Sequence, residues 1–351
     1  MGRFIAIFIS CAVLGLVACQ TNGPTAEPRQ TTCWKGDFNW GLTAKGGGIN
    51  VCGFRRFAPK PVQKVDIAVI DTGVDATHPM LQKRIKKDFN GFDGYGHSTN
   101  LYELNTNDIN GHGTHIAGII QAVGQASGVN PLVIMPIKFI PDSGFSGATG
   151  VAVGIRYAIK HGVRVINISA GGLGAEDNER AAFLEARRAD CLIVVAAGND
   201  ARKLGFEYPD GYHYFPAEYG FDNIIVVGAE TADGGVAEFS NFGPKVDILA
   251  PGENIYSSFP KSSYAVGSGT SQATAFVSAV AGLILSRYPT MSARDVKKLI
   301  LESGRHSPAF SGKTKSGIAL DGEAVANKLR EISVARSSEK PSRNPAQAAK
   351  P

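Results

Sequence analysis

Three short segments hold the side chains that could do chemistry together. Asp71 comes directly after the apolar segment Val65–Ile70, and His112 and His115 lie three residues apart in a glycine-rich segment. Ser271 precedes a long apolar segment with helical periodicity. A serine hydroxyl is a weak nucleophile at neutral pH unless a histidine takes its proton and an aspartate orients that histidine. If the chain brings these residues together, the chemistry is acyl transfer through a serine nucleophile.

Each of these residues also has a purely structural interpretation when it is taken alone. An aspartate before Thr-Gly commonly forms a turn, and a serine at a helix N-terminus commonly caps that helix. Two histidines three residues apart could bind a metal ion, but no cysteine or glutamate in their segment helps to complete such a site. We therefore predict no metal site, with one histidine acting as a base and the other packed in the core.

Apolar segments and helical patterns alternate along the middle of the chain. Strands are predicted at Val65–Ile70, Val133–Met135, Val163–Ile168, Leu192–Ala197 and Asn223–Gly228. Helices are predicted at Gly113–Ala122, Ala148–His161, Glu176–Ala189, Thr270–Arg287 and Ala293–Glu302, the last with Ser292 as its N-cap. This order predicts an α/β fold, a doubly wound, mainly parallel sheet with helices on both faces. Asp71 then lies at the carboxyl end of a strand, where ligands bind in such sheets.

The three segments also follow a known order. Val-Ile-Asp-Thr-Gly-Val-Asp, Gly-His-Gly-Thr-His-Ile-Ala-Gly and Ser-Gly-Thr-Ser-Gln-Ala-Thr-Ala, in this sequence, resemble the motifs of the subtilisin-like serine proteases. The likeness runs from about Val65 to Gly304 and includes linking motifs at Val165–Ser169 and Ala196–Asn199. It implies a serine endopeptidase of the subtilase, or peptidase S8, family.

The resemblance assigns roles to individual residues. Asp71, His112 and Ser271 would form the catalytic triad, and the Asn199 side-chain amide with the Ser271 backbone N–H would stabilise the oxyanion. Substrates would be extended peptides or proteins that lie against the exposed edge Ser169-Ala170-Gly171 and against residues 143–147. Ala170 stands where relatives often have leucine, so one wall of the substrate pocket would be smaller.

The sequence departs from the family pattern at three places. The segment 123–129 is short and lacks the asparagine-containing loop of many relatives, and Met80 stands where an aspartate ligand is expected. The tight calcium site of those relatives should therefore be absent, and a calcium site elsewhere is the alternative. Gln272 replaces the methionine that usually follows the nucleophile, which removes a sulfur open to oxidation. Ala275 and Phe276 replace a proline and a histidine of the family pattern. This leaves open how fast the reaction runs and whether water or an amine accepts the acyl group. No other cofactor is expected.

The sequence therefore leaves three functions open. The first is hydrolysis of peptide bonds in exported or envelope proteins. The second is a peptide ligase or processing enzyme that uses the same acyl-enzyme, and the third is a peptide-binding pseudoprotease, although no triad member has been lost. About 43 residues separate Cys19 from the first core strand near Val62, fewer than the prodomains common in the family that the chain resembles, so we expect folding without a cleaved chaperone segment.

The N-terminus has the pattern of an export signal. Arg3 is followed by the apolar segment Phe4–Ala18, which is too short to cross a bilayer as a mature helix. Leu-Val-Ala-Cys at its end resembles a bacterial lipobox, so residues 1–18 would be a lipoprotein signal peptide and Cys19 the acylated residue. The alternatives are an ordinary signal peptide cut nearby and a buried helix. Gln20, in place of an aspartate, favours the outer membrane if the cell has one.

Composition predicts the remaining organisation. Residues 19–62 form a tether and a small lead-in, 63–305 the catalytic domain, 306–332 a C-terminal extension and 333–351 a polar, disordered tail. The formal charge of +5 is mild, so nucleic acid is not an expected partner, and we expect a monomer. Export permits a disulfide between Cys33 and Cys52, with two free thiols as the alternative, whereas Cys191 in an apolar segment is interpreted as a buried structural thiol.

Overall fold

A computed structural model describes residues 39–43, 46–56, 62–86, 108–140 and 148–338 of the chain. Its strands are β1 Val65–Asp71, β2 Leu132–Lys138, β3 Val165–Ile168, β4 Gly172–Leu173, β5 Leu192–Ala196, β6 Tyr214–Phe215, β7 Ile224–Glu230, β8 Ile248–Pro251, β9 Ile255–Phe259, β10 Ser263–Gly267, β11 Arg305–His306 and β12 Ile318–Ala319. Its α-helices are α1 Gly53–Arg56, α2 His112–Ala126, α3 Ala148–Lys160, α4 Asp177–Arg188, α5 Thr270–Arg287, α6 Ala293–Glu302 and α7 Gly322–Ser338. Short 3₁₀ turns lie at Trp40–Leu42, Ala217–Tyr219 and Pro308–Phe310.

Eight strands form the central sheet in the order β11-β12-β8-β7-β5-β3-β1-β2. Every neighbouring pair is parallel except β11 and β12, which are antiparallel at one edge. Two small antiparallel pairs, β9 with β10 and β4 with β6, lie outside this sheet. Since all the long strands run the same way, their carboxyl ends, and the chain segments that follow them, meet at one edge of the sheet.

Side chains of the central strands are buried alternately on the two faces. Ile67 and Val69 of β1 pack into one core with α2 and α5, whereas Ala68 and Ile70 pack into a second core with α3 and α4. Burial on both faces explains why the strands are almost continuously apolar and do not alternate with polar residues. The predicted doubly wound α/β fold with helices on both faces is confirmed.

The chain on either side of the predicted catalytic segment joins the same cores. Leu42, Ile49, Val51 and Phe54 of the lead-in are fully or almost fully buried among residues of α2 and α5. In the C-terminal extension, β12 pairs with β8, and α7 packs against α1. Residues 39–43, 46–56 and 306–332 are therefore built into the same cores as the central sheet.

The observed boundaries differ from the predicted ones mainly at turns and at the C-terminus. Helix α2 begins at His112 and not at Gly113, and Ser292 caps α6 by accepting from Asp295 N at 3.1 Å, as predicted. The prediction that the tail is disordered from Ser333 onward is wrong at its start, because helix α7 continues to Ser338. Composition missed this part because it contains few apolar residues, whereas the preceding turns of α7 are packed against the core.

Several predictions concern residues outside the described part. These are the signal 1–18, the lipid site Cys19, Cys33, the second substrate segment 143–147 and the tail beyond 338. Cys52 is disulfide-bonded, and the pairing with Cys33 stays a prediction. Cys191 is a free, buried thiol whose pKa burial raises to about 11. Within the described ranges, no helix is both long and apolar enough to cross a membrane.

Candidate active site

Asp71 and His112 meet where β1 ends and α2 begins. His112 Nδ1 lies 2.7 Å from Asp71 Oδ1, and both side chains are buried. Since a carboxylate oxygen accepts, the ring proton is on Nδ1, and Nε2 keeps its lone pair. Gly113 makes this approach sterically feasible, because a Cβ there would overlap the Gly73 carbonyl oxygen.

Asp108, which the sequence analysis did not single out, holds this junction together. Its carboxylate accepts from Thr72 Oγ1 at 2.7 Å, from Gly111 N at 2.8 Å and from Thr114 N at 2.8 Å. It thereby caps the start of α2 and ties the helix to the residue after Asp71. An aspartate four residues before the start of α2 was the available sequence signal.

Charge in the junction determines the protonation of His112. Burial lowers the pKa of His112, but the charge of Asp71, its hydrogen bond to the ring and the charge of Asp108 outweigh that effect. The pKa of His112 therefore lies above its ordinary value of 6.5. A base with this pKa binds a proton readily and loses its activity when the pH falls below that pKa.

His115 is the packed histidine of the pair. Its Nε2 donates to Ala265 O at 3.1 Å, and burial lowers the pKa of His115 to about 4. With the proton on Nε2, Nδ1 accepts from Gln272 Nε2 at 3.5 Å, which leaves Gln272 Oε1 buried without a partner. No group of three or more metal-binding side chains exists among the described residues, so neither histidine belongs to such a cluster.

Ser271 lies in the first turn of α5, at the same edge of the sheet as His112. Its hydroxyl donates to Ser169 O at 3.0 Å, and Ser169 Oγ donates to Ser271 O at 3.0 Å. Asn167 Nδ2 donates to Ser169 Oγ at 2.9 Å, so β3 holds the first turn of α5 through polar contacts. Within the described residues no hydrogen bond joins Ser271 to His112; the hydroxyl is directed at Ser169.

Asn199 follows β5 and faces the same helix turn. Its Oδ1 accepts from Thr270 N at 2.9 Å and from Thr270 Oγ1 at 3.0 Å. These two bonds fix the amide, and its Nδ2 has no partner among the described residues. The Ser271 backbone N–H, in the first turn of the helix, likewise has no described partner. Two donors are thus free beside the Ser271 hydroxyl, as an oxyanion site requires.

The predicted substrate segment borders this group. Ser169, Ala170 and Gly171 follow β3 directly, and all three are buried, which differs from the exposed edge expected there. The ring of Tyr214, from β6, packs against Gly171. No motif marked Tyr214, because its position depends on the pairing of β4 with β6, which joins segments far apart in sequence.

In and beside the end of α2, two main-chain carbonyl oxygens accept hydrogen bonds from arginine side chains. Arg84 Nη1 donates to Asn130 O at 2.8 Å, and Arg55 Nε donates to Ala126 O at 2.9 Å. Two carbonyl oxygens that could bind a cation are engaged by guanidinium groups, whereas Asn130 Oδ1 is buried without a partner, so the absence of a calcium site here stays a prediction. No step of the chemistry is assigned to a metal ion.

Fold and site geometry together define a class of protein, and comparisons with known proteins agree. The sequence model of the subtilase family, peptidase S8, matches residues 63–325. The chain therefore belongs to the subtilase family and is a subtilisin-like serine endopeptidase.

Individual relatives are moderately similar. Subtilisin DY of Bacillus licheniformis is 35% identical over 237 residues, which cover 66% of this chain and 81% of that protein. Thermitase of Thermoactinomyces vulgaris is 36% identical over 226 residues, 63% of this chain and 75% of thermitase. A crystal structure of a cold-adapted subtilisin-like serine proteinase matches with a TM-score of 0.62 and 25% identity, covering 77% of this chain and 97% of that one.

Proposed function

We propose that Asp71, His112 and Ser271 form the catalytic triad and that Ser271 carries an acyl-enzyme during peptide hydrolysis. The observation that carries the proposal is the 2.7 Å contact between His112 Nδ1 and Asp71 Oδ1, which leaves Nε2 free to act as a base. Rotation of the Ser271 side chain away from Ser169 O would direct its hydroxyl to that nitrogen. The bound substrate would favour this rotation by placing its carbonyl beside Ser271.

The reaction would proceed in two acyl-transfer steps. His112 takes the Ser271 proton as Oγ attacks the scissile carbonyl, and the oxyanion accepts hydrogen bonds from Asn199 Nδ2 and the Ser271 N–H. His112 then gives the proton to the leaving amine, and the C–N bond breaks to leave an ester on Ser271. Water, deprotonated by His112, attacks this ester; the ester C–O bond breaks, the acid leaves, and His112 returns the proton to Ser271 Oγ.

The substrates would be exported or envelope proteins, bound as extended chains along Ser169-Ala170-Gly171. Main-chain hydrogen bonds would give affinity there, and side-chain pockets would give specificity. We further propose that Cys19 is acylated after removal of residues 1–18, which would hold the enzyme at a membrane. The lipobox-like Leu-Val-Ala-Cys is the support for this anchor.

Labelling with a fluorophosphonate probe tests the catalytic proposal. The wild-type chain should be labelled at Ser271, and Ser271→Ala should lose both labelling and peptide hydrolysis while melting at a similar temperature. Ser169→Ala, which removes a neighbouring hydroxyl, is the matched control and should still be labelled. A folded wild-type protein that resists labelling, or hydrolysis that survives in Ser271→Ala, would overturn the triad.

Two further measurements test the finer parts of the proposal. Added peptide amine should compete weakly with water for the acyl group; aminolysis products in excess would favour a ligase. Mass spectrometry of the full-length protein from membranes should find an acylated Cys19 at the mature N-terminus, and Cys19→Ala should release the protein from the membrane fraction. An unmodified mature terminus elsewhere would contradict the anchor.

A further inference from the structure

Two chain segments leave neighbouring strands and flank the first turn of α5. Strands β3 and β5 are paired as far as Ile168 and Val195, and beyond that point the chain continues as residues 169–171 and 197–199. The first segment contacts Ser271 through Ser169, and the second contacts Thr270 through Asn199. Because the ladder has ended, a cleft separates the two segments beside the proposed nucleophile.

The ring of Tyr214 occupies this cleft. A Cβ on Gly171 would lie 2.5 Å from Tyr214 Cε1, and a Cβ on Gly198 would lie 2.9 Å from Tyr214 Cζ. Neither glycine could therefore be replaced without moving the ring or the backbone. The two glycines and the tyrosine fit one another, so the ring is a built part of the cleft and not a side chain resting on its surface.

The Tyr214 hydroxyl is less enclosed than the ring that carries it. The residue is 8% exposed, its hydroxyl has no hydrogen-bond partner among the described residues, and the hydroxyl oxygen is not one of the fully buried polar atoms that lack a partner. The oxygen therefore keeps contact with solvent. Its donor is thus free at the end of the ring, near Gly198 and on the side of the cleft that Asn199 borders.

The proposed reaction determines which part of a substrate enters the cleft. A carbonyl carbon next to Ser271 Oγ, with its oxygen toward Asn199 Nδ2, places the preceding Cα at the mouth between the two segments. The side chain of the residue on the N-terminal side of the scissile bond then points between residues 169–171 and 197–199. That side chain meets the Tyr214 ring.

We propose that Tyr214 forms the floor of a shallow specificity pocket, so that the enzyme cleaves after small residues such as alanine and serine. This inference rests on the proposed function, because it takes the position of the substrate from Ser271 and Asn199. The ring excludes large side chains by occupying their space. The small side chain of Ala170 does not restore that space, because the ring lies between Gly171 and Gly198. The free hydroxyl can donate to a short polar side chain.

A matched set of peptide anilides tests the pocket. The peptides differ only in the residue before the scissile bond, which is alanine, serine, leucine or phenylalanine, and kcat/KM is measured for each. The wild type should prefer alanine to phenylalanine by at least about tenfold, since even one misplaced methylene in a pocket costs that much. Tyr214→Gly should raise the phenylalanine-to-alanine ratio by about 100-fold by opening the pocket.

Two variants separate the ring from its surroundings. Tyr214→Phe keeps the ring and should retain the preference for alanine over phenylalanine, while losing part of the activity on serine. Phe215→Ala removes a ring of similar size from the same strand; that ring packs on Tyr219, at 4.9 Å between ring centroids, and the ratio should not change.

Failure of this inference differs from failure of the proposed function. If Ser271→Ala still hydrolyses the peptides, the site itself is wrong. If hydrolysis depends on Ser271 but the wild type cleaves after phenylalanine as well as after alanine, the pocket assignment is wrong, whether or not Tyr214→Gly folds. A folded Tyr214→Gly with an unchanged ratio would also overturn it.

Discussion

Replacing Asn199 gives a quantitative test of the oxyanion site, because its two side-chain atoms have separate tasks. Oδ1 accepts from Thr270 N and Thr270 Oγ1, and Nδ2 has no described partner. Asn199→Ala removes both atoms, so kcat should fall by ~10²–10³ with little change in KM, the usual effect of losing one oxyanion donor. The same change should lower the free energy of unfolding by about 1–2 kcal/mol, because Thr270 N–H loses its acceptor in a half-buried position.

Asn199→Asp separates the two effects. A carboxylate still accepts from Thr270 N and Thr270 Oγ1, so stability should stay close to wild type, whereas turnover should fall at least as far as in Asn199→Ala. Asn223→Ala is a matched control, since Asn223 is a buried asparagine just before β7 that donates to Cys191 O at 2.9 Å. It should lose stability and keep its kcat.

Single-turnover acylation with an anilide substrate and thermal melting are the two measurements required. The oxyanion assignment would be refuted by a folded Asn199→Ala or Asn199→Asp whose acylation rate matches that of the wild type. Equal loss of rate in Asn223→Ala would mean that the effect is one of stability and not of the donor.

Four further predictions concern pH, metal and oxidation. The acid limb of kcat/KM should lie above pH 6.5, because the pKa of His112 is raised and the base must be neutral; Asp108→Asn should move this limb to lower pH. Burial raises the pKa of Glu179 from 4.5 to about 7, despite a hydrogen bond from Tyr219 that opposes the shift. When the pKa of a carboxyl group is higher in the folded than in the unfolded chain, the protein loses stability as the pH rises through that range. Glu179→Gln should therefore flatten the fall in melting temperature between about pH 5 and pH 8, and an unchanged slope would contradict this. EDTA should leave the melting temperature unchanged, and a calcium-dependent rise would show a site elsewhere in the chain. Peroxide should not inactivate the enzyme through position 272, whereas Gln272→Met should become sensitive; rapid loss of wild-type activity with modification mapped there would refute the expectation.

The fold and the candidate site were predictable from the sequence where information is local. Strand β1 and helix α5 follow from continuous apolar segments, and the Ser292 cap of α6 follows from the residue type before the helix. Asp71, His112, Ser271 and Asn199 were proposed as site residues from their motifs, each within a few residues of a predicted element. Such patterns are readable because a strand end or a helix start is set by neighbours along the chain.

Contacts between distant segments could not be predicted in this way. Asp108 bonds Thr72, and Asn167 supports Ser169 beneath Ser271, through pairings that only the packed sheet creates. Tyr214 reaches the cleft because β6 pairs with β4, and its sequence neighbourhood resembles an ordinary aromatic loop.

The chain by itself thus determined the family and the order of elements, and it singled out the side chains proposed to react, since each depends on residue types at fixed short spacing. The tertiary structure decided what surrounds those side chains. It placed the lead-in and the C-terminal extension in the same cores, directed the Ser271 hydroxyl at Ser169, left Asn199 Nδ2 free and put a tyrosine ring between two glycines. These features depend on which surfaces meet when apolar faces are buried, and hydrophobic burial is non-directional, so periodicity along the chain does not encode them.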